Sequence, residues 1–162
     1  YKVLNSRYKL AAGIRFGMEK GWDILNLCVG SHEDFARLRE ITREALERGT
    51  IIVAAIDGDI PGGGYPAAYP GVISVDHDYL EDPLAIRPSN AASVCGHGVY
   101  VEARNAAGEV ESFTGSSFAS PHVTALLARV RPLFPEMNGG ELLERCLESQ
   151  PISPLKKTDS PR

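Results

Sequence analysis

The chain has 162 residues, 43% of them hydrophobic and 23% charged, with a formal net charge of −4. That length and balance fit one globular domain of ordinary composition. No basic patch points to a nucleic-acid partner, and the longest apolar stretches, such as that from Ile51 to Ile56, are far too short to cross a membrane.

The chain opens on Tyr1 rather than Met, directly in a strand-like run at 1–4, which suggests a fragment, a processed product or an excised domain. No basic segment followed by an apolar one appears at the start of this sequence, so no signal peptide is visible and the compartment stays open. Leu10, Ile14, Gly17 and Met18 share one face of a helix predicted over 10–20, and Gly21 stops it. Residues 23–29 form a short, mostly apolar run suited to a strand buried on both faces. Ser31 and Asp34 have capping-box spacing. The helix that follows carries Phe35, Leu38, Ile41 and Ala45 on one face, and Arg43–Glu47 and Glu44–Arg48 pairs on the other. Gly49 ends it. Residues 51–56 and 71–75 read as buried strands, separated by a Gly- and Pro-rich loop at 57–70. A fourth strand is predicted at 98–101 and a helix over 118–134. Asn138 can cap a last helix running through Leu147. A polar, Pro-containing tail at 149–162 lies beyond a domain at 1–148. Strands alternating with helices imply an α/β, three-layer architecture with a mostly parallel sheet. Chemistry then belongs beyond the C-terminal ends of the strands. The three cysteines, Cys28, Cys95 and Cys146, match no zinc-ligand spacing and are expected to be small buried thiols.

The most informative segment is 113–123, Phe-Thr-Gly-Ser-Ser-Phe-Ala-Ser-Pro-His-Val. Small residues surround a serine where a helix begins. Gly115 permits a sharp backbone approach, and Pro121 is expected in a first turn that needs no amide donors. The free N–H groups and the positive end of the helix dipole would stabilise an oxyanion formed beside Ser117. From spacing alone, a serine that merely caps a helix fits equally well.

Residues 115–123 closely resemble the nucleophile signature of the subtilase family, Gly-Thr-Ser-Met-Ala-[Ser/Thr]-Pro-His-Val, with Ser116 in place of Thr and Phe118 in place of Met. Residues 65–75 resemble the family's Tyr-Pro-Ala…Tyr-Pro-x-Val-Ile-x-Val segment, and 23–30 resemble the strand lining the S1 pocket. Residues 1–4 resemble the strand that follows the catalytic-His helix. The resemblance implies a subtilisin-like serine endopeptidase acting on polypeptide, with Ser117 as nucleophile and Cys28, Val29 and Gly30 along the S1 pocket. It implies no cofactor; calcium enters by family analogy alone, and no metal-ligand cluster stands out. Family members are commonly secreted, whereas unpaired cysteines lean the other way.

Two departures qualify that expectation. The family's chain order is Asp, His, Ser, so both partners of Ser117 should precede Tyr1. A missing N-terminal segment of the same domain is therefore an expected partner. His122 resembles the family's structural His, His32 lies just past the S1 strand, and His77 and His97 read as loop residues. The second departure is at the oxyanion hole. The family has Ala-Gly-Asn after the strand equivalent to 52–55, and here the segment runs Ala55-Ile56-Asp57-Gly58-Asp59. Gly58 offers no side-chain donor, and an ionised Asp57 repels developing negative charge. An inactive, subtilase-like binding module is thus the alternative. Gly62-Gly63-Gly64 lacks a following Lys-Ser/Thr, so it reads as a groove-edging loop, not a phosphate cradle. An α/β-hydrolase is rejected because its acid and His follow the serine, and only His122 does so here.

Overall fold

The computed structural model describes residues 6–149; the strand expected at 1–4 and the tail from 150 onward lie outside them. Helix α1 (Ser6–Glu19) begins four residues before the predicted 10–20. Its apolar stripe of Leu10, Ile14 and Met18 marks the part that packs, whereas the preceding turn carries no periodic signal. Strand β1 (Ile24–Leu27) is followed by α2 (Ala36–Glu47) and β2 (Ile51–Ala55). A 3₁₀ turn at Pro61–Gly63 leads to β3 (Ile73–Asp78), β4 (Ile86–Arg87) and β5 (Val94–His97). A hairpin, β6 (Val101–Arg104) and β7 (Val110–Phe113), precedes α3 (Ser116–Val130). A second 3₁₀ turn and α4 (Gly139–Glu148) complete the described chain.

The main sheet has five strands in the order β1-β2-β3-β5-β4. β1, β2, β3 and β5 run parallel, and the short β4 is antiparallel to β5. Helices α1 and α2 pack on one face, where Ile14, Leu38 and Ile41 meet Ile52 and Ala54. Helices α3 and α4 pack on the other, where Val123, Leu127 and Leu142 meet Ile51, Val53, Ile73 and Val75. This is the expected three-layer α/β arrangement. It explains why β2 is apolar at every position: consecutive side chains feed opposite cores.

Several local expectations are corrected. β1 is the terminal strand of the sheet among the described residues, and Asn26 on it is exposed, so it is not buried on both faces. Ser31 and Asp34 form no capping box. Helix α2 starts behind Phe35, while the Asp34 carboxylate accepts hydrogen bonds from Arg39 and, at 2.7 Å, from the Tyr69 hydroxyl. Arg39 first, then Tyr69, holds that carboxyl below its usual range. The predicted helix-face pairs do form, with Arg43–Glu47 at 2.6 Å and Glu44–Arg48 at 2.8 Å.

The fourth parallel strand of the main sheet is β5, not 98–101. Residues 98–100 instead bend the chain out into the β6–β7 hairpin, with Tyr100 at φ 56°. Helix α3 stops at Val130 because Pro132 follows and shapes a 3₁₀ turn. Asn138 caps α4 as expected, within a full capping box closed by Glu141.

Candidate active site

Every parallel strand points its C-terminal end at one edge of the sheet, where α3 also begins. The hairpin returns the chain there through Gly115, whose φ of 154° lies where residues with a side chain are strained. The Gly115 amide donates to the Gly98 carbonyl at 2.8 Å, and the Gly115 carbonyl accepts from both Phe118 and Ala119. The N–H groups of Ser116 and Ser117 precede the first intrahelical donor, Phe118, so they are free to face a ligand. Pro121 falls in the second turn, not the first, where it removes the donor that would reach the Ser117 carbonyl. Ser116 points inward and donates to the Ile56 carbonyl at 2.5 Å. Ser117 is half-buried and lines a cavity of roughly 340 Å³.

Two chain segments face Ser117 across that cavity. Cys28, Gly30, Ser31 and His32 come from the end of β1. Ser31 is locked to Tyr65 by a pair of backbone hydrogen bonds of 2.7 and 2.9 Å, which ties this wall to the Gly-rich loop. The Cys28 thiol lies 3.5 Å from the Ser120 hydroxyl and accepts from Asn26 Nδ2 at 3.2 Å, linking β1 to the first turns of α3. Val29 is 63% exposed and is not among the lining residues, because alternation along extended chain turns it outward.

The second wall is Ala55, Ile56, Asp57 and Gly58, with Ile60, Gly63 and Gly64 behind them. A side chain added at Gly58 would meet nothing within 4 Å. Asp57 accepts from the Asp59 amide at 3.1 Å, and its other oxygen is 3.8 Å from His32 Nε2. This wall thus presents backbone and a carboxylate to the cavity, with open space at residue 58.

The histidines divide by environment. His122 Nδ1 donates to the His97 carbonyl at 2.8 Å, a bond that pins α3 to β5 and fits a structural role. His97 and His77, expected in loops, sit on strands. His97 Nδ1 accepts from the Leu80 amide at 3.2 Å. His77 ends the row Ile73, Val75, His77 along β3 and lines the cavity that holds Ser117. Sequence reading missed it because the predicted strand stopped at 75. Two more residues of alternation would have placed it on the α3 face.

Cys95 and Cys146 are buried, and burial pushes both thiols up; Cys28 is exposed, contrary to the expectation of three buried thiols. Among the described residues no group of three or more His, Cys, Asp or Glu side chains could hold a metal, and no helix is long and apolar enough to cross a membrane.

The chain matches the Subtilase family profile over residues 4–151. It is 28% identical over 156 residues to subtilisin DY of Bacillus licheniformis, an alignment covering 89% of this chain and 57% of that protein. It is 26% identical over 144 residues to subtilisin E of Bacillus subtilis, covering 85% of this chain and 38% of that protein. The chain therefore spans about half the length of such curated relatives, or less. Among solved structures, fervidolysin from Fervidobacterium pennivorans, a keratinolytic enzyme related to subtilisin, aligns at TM-score 0.62 and 26% identity, over 80% of this chain and 23% of that one. Sphericase aligns at TM-score 0.66 and 20% identity, over 86% of this chain and 54% of that one, and shares the fold. Profile, sequence and architecture agree, and the chain belongs to the subtilase family.

Proposed function

We propose that this chain carries the nucleophile half of a serine endopeptidase site. In this reading Ser117 attacks the carbonyl of an extended polypeptide lying along Cys28, Val29 and Gly30. The observation that carries it is the placement of Ser117: in the first turn of α3, on a cavity whose facing wall is the end of β1. The free amides of that turn can donate to the tetrahedral oxyanion, and the dipole of α3 favours negative charge there. Cys28 and Gly30 bound the space for the substrate side chain, with Gly63 and Gly64 closing it. A serine hydroxyl becomes a strong nucleophile when a histidine, itself oriented by an acid, takes its proton. Enzymatic turnover requires those groups, which in the family's chain order come before the serine. The catalytic step needs no metal or organic cofactor.

A fluorophosphonate probe tests the assignment. The mature protein is expected to be labelled stoichiometrically at Ser117, and Ser117→Ala to be unlabelled. The 162-residue chain by itself is expected to react far below an enzymatic rate. Label on another residue, or undiminished label in Ser117→Ala, contradicts the proposal.

One observation favours a second reading, a binding module without turnover. Gly58 and Asp57 occupy the position of the family's side-chain oxyanion donor. Losing that donor costs about 10²–10³ in turnover, a figure measured in a subtilisin itself. A mature protein that binds peptide and leaves the probe unreacted would support this second reading.

A further inference from the structure

His77 is not accounted for by the site described above, yet it lines the same cavity as Ser117. Its neighbour Asp76 places Oδ1 at 3.3 Å from Nδ1, and the same oxygen accepts the His77 amide at 2.8 Å. That separation suits an ion pair but is not aligned as a hydrogen bond in the resting geometry, so Nδ1 is buried and unbonded. Nε2 has no protein partner among the described residues. A carboxylate beside Nδ1 favours the tautomer with its proton there, which leaves the Nε2 lone pair to accept. Its Cβ lies close to Gly98, the residue whose carbonyl holds Gly115. The competing imidazole, His32, sits on a loop with its side chain 79% exposed and its carboxylate 3.8 Å away, whereas His77 is 37% exposed on a strand. The more rigid ring is the better-positioned acceptor.

We propose that His77, oriented by Asp76, is a general base for Ser117 contained within this chain, acting directly or through one water in the cavity. The proposal rests on the reading of Ser117 as nucleophile. With peptide, Oγ bonds to the acyl carbon while its proton passes to Nε2. The same proton then goes to the departing amine as the C–N bond breaks, leaving acyl-Ser117 and a free amine. With a fluorophosphonate, Oγ bonds to phosphorus, fluoride leaves, and the proton passes from Nε2 to solvent. This base sustains the slow reaction of the chain when no histidine from outside it reaches Ser117.

The test is the rate of fluorophosphonate labelling of the full chain, read by mass mapping alongside thermal melting. His77→Ala is expected to slow labelling of Ser117 by about 100-fold, at the low end of what a positioned base contributes. Added imidazole is expected to restore rate in His77→Ala and leave the parent chain unchanged. His77→Gln fills the site without a comparable base, so it stays slow and is not rescued. If His77→Ala fails to melt cooperatively, the His77→Gln rate decides. Equal rates in His77→Gln and the parent overturn the proposal, as do imidazole acceleration of both chains alike or loss of reaction in His32→Ala with His77→Ala unaffected. Absence of label from Ser117 in the chain alone overturns the proposed base, whereas absence of label from Ser117 in the mature protein refutes the nucleophile assignment itself, which separates the two failures.

Discussion

The two walls of the cavity differ in what they keep. The α3 wall carries Gly115, Ser116 and Ser117 in a turn tied to Gly98 and to the Ile56 carbonyl. The β2 wall carries Asp57 and Gly58, with open space where a side chain would extend from Gly58. Both walls hang on the same parallel strands, and both have their backbone in place. One presents a serine in the first turn of a helix, while the other presents a glycine and a carboxylate. The scaffold and the chemistry are therefore separable. Strand ends and helix starts build the cavity, and single side chains set what it can accelerate.

That contrast can be sharpened by restoring the missing group. Gly58→Asn puts an amide into empty space at the β2 wall and is expected to speed phosphonylation of Ser117 by about 10- to 100-fold, part of the 10²–10³ that such a donor contributes. An unchanged second-order labelling rate would show that the β2 wall does not face the oxyanion. The α3 wall can be broken from behind. A Cβ at Gly98 would lie 2.7 Å from the Gly115 carbonyl, 2.7 Å from His77 Cβ and 2.9 Å from Ala119 Cβ. Gly98→Ala should destabilise by about 1–3 kcal/mol in urea unfolding, because neither backbone nor helix can yield freely. It should also slow labelling by displacing the nucleophile turn, and full stability with full reactivity would contradict the tight seating described.

The smallest effect concerns the far side of the β1 wall. Asp34 has a folded-state pKa below its unfolded value, so it stabilises the fold above about pH 4, and that contribution fades as pH falls through the folded value. Asp34→Asn should therefore be slightly less stable than the parent at pH 7 and converge with it in acid. A constant gap across pH would exclude the carboxylate as its source.

Much of this was legible from residue order. The segments 51–56 and 71–75 announced buried strands by apolar runs, and the small residues of 115–123 announced the start of a helix. The failures have physical causes. β1 reads as a fully buried strand, but it is the terminal strand of the described sheet, and a local apolar run does not reveal which edges are paired. Val94 and Cys95 made too short a run to outcompete the Val99/Val101 alternation, so β5 was displaced onto the hairpin. Asp34 looked like a cap because spacing cannot show that Tyr69, 35 residues away, claims its carboxylate. His77 was hidden for a similar reason: a polar residue ending a buried strand resembles the start of a loop.

The central claim is that the Ser117 hydroxyl faces a peptide groove bounded by the ends of β1 and β2. A crystal structure of the protein treated with a peptidyl diphenyl phosphonate tests it most directly. The account predicts phosphorus bonded to Ser117 Oγ, the phosphonyl oxygen beside residue 58, and the inhibitor side chain between Gly30 and Gly64. An adduct on another residue, such as the exposed Cys28 thiol, or a peptide lying away from the 28–30 segment, would contradict it.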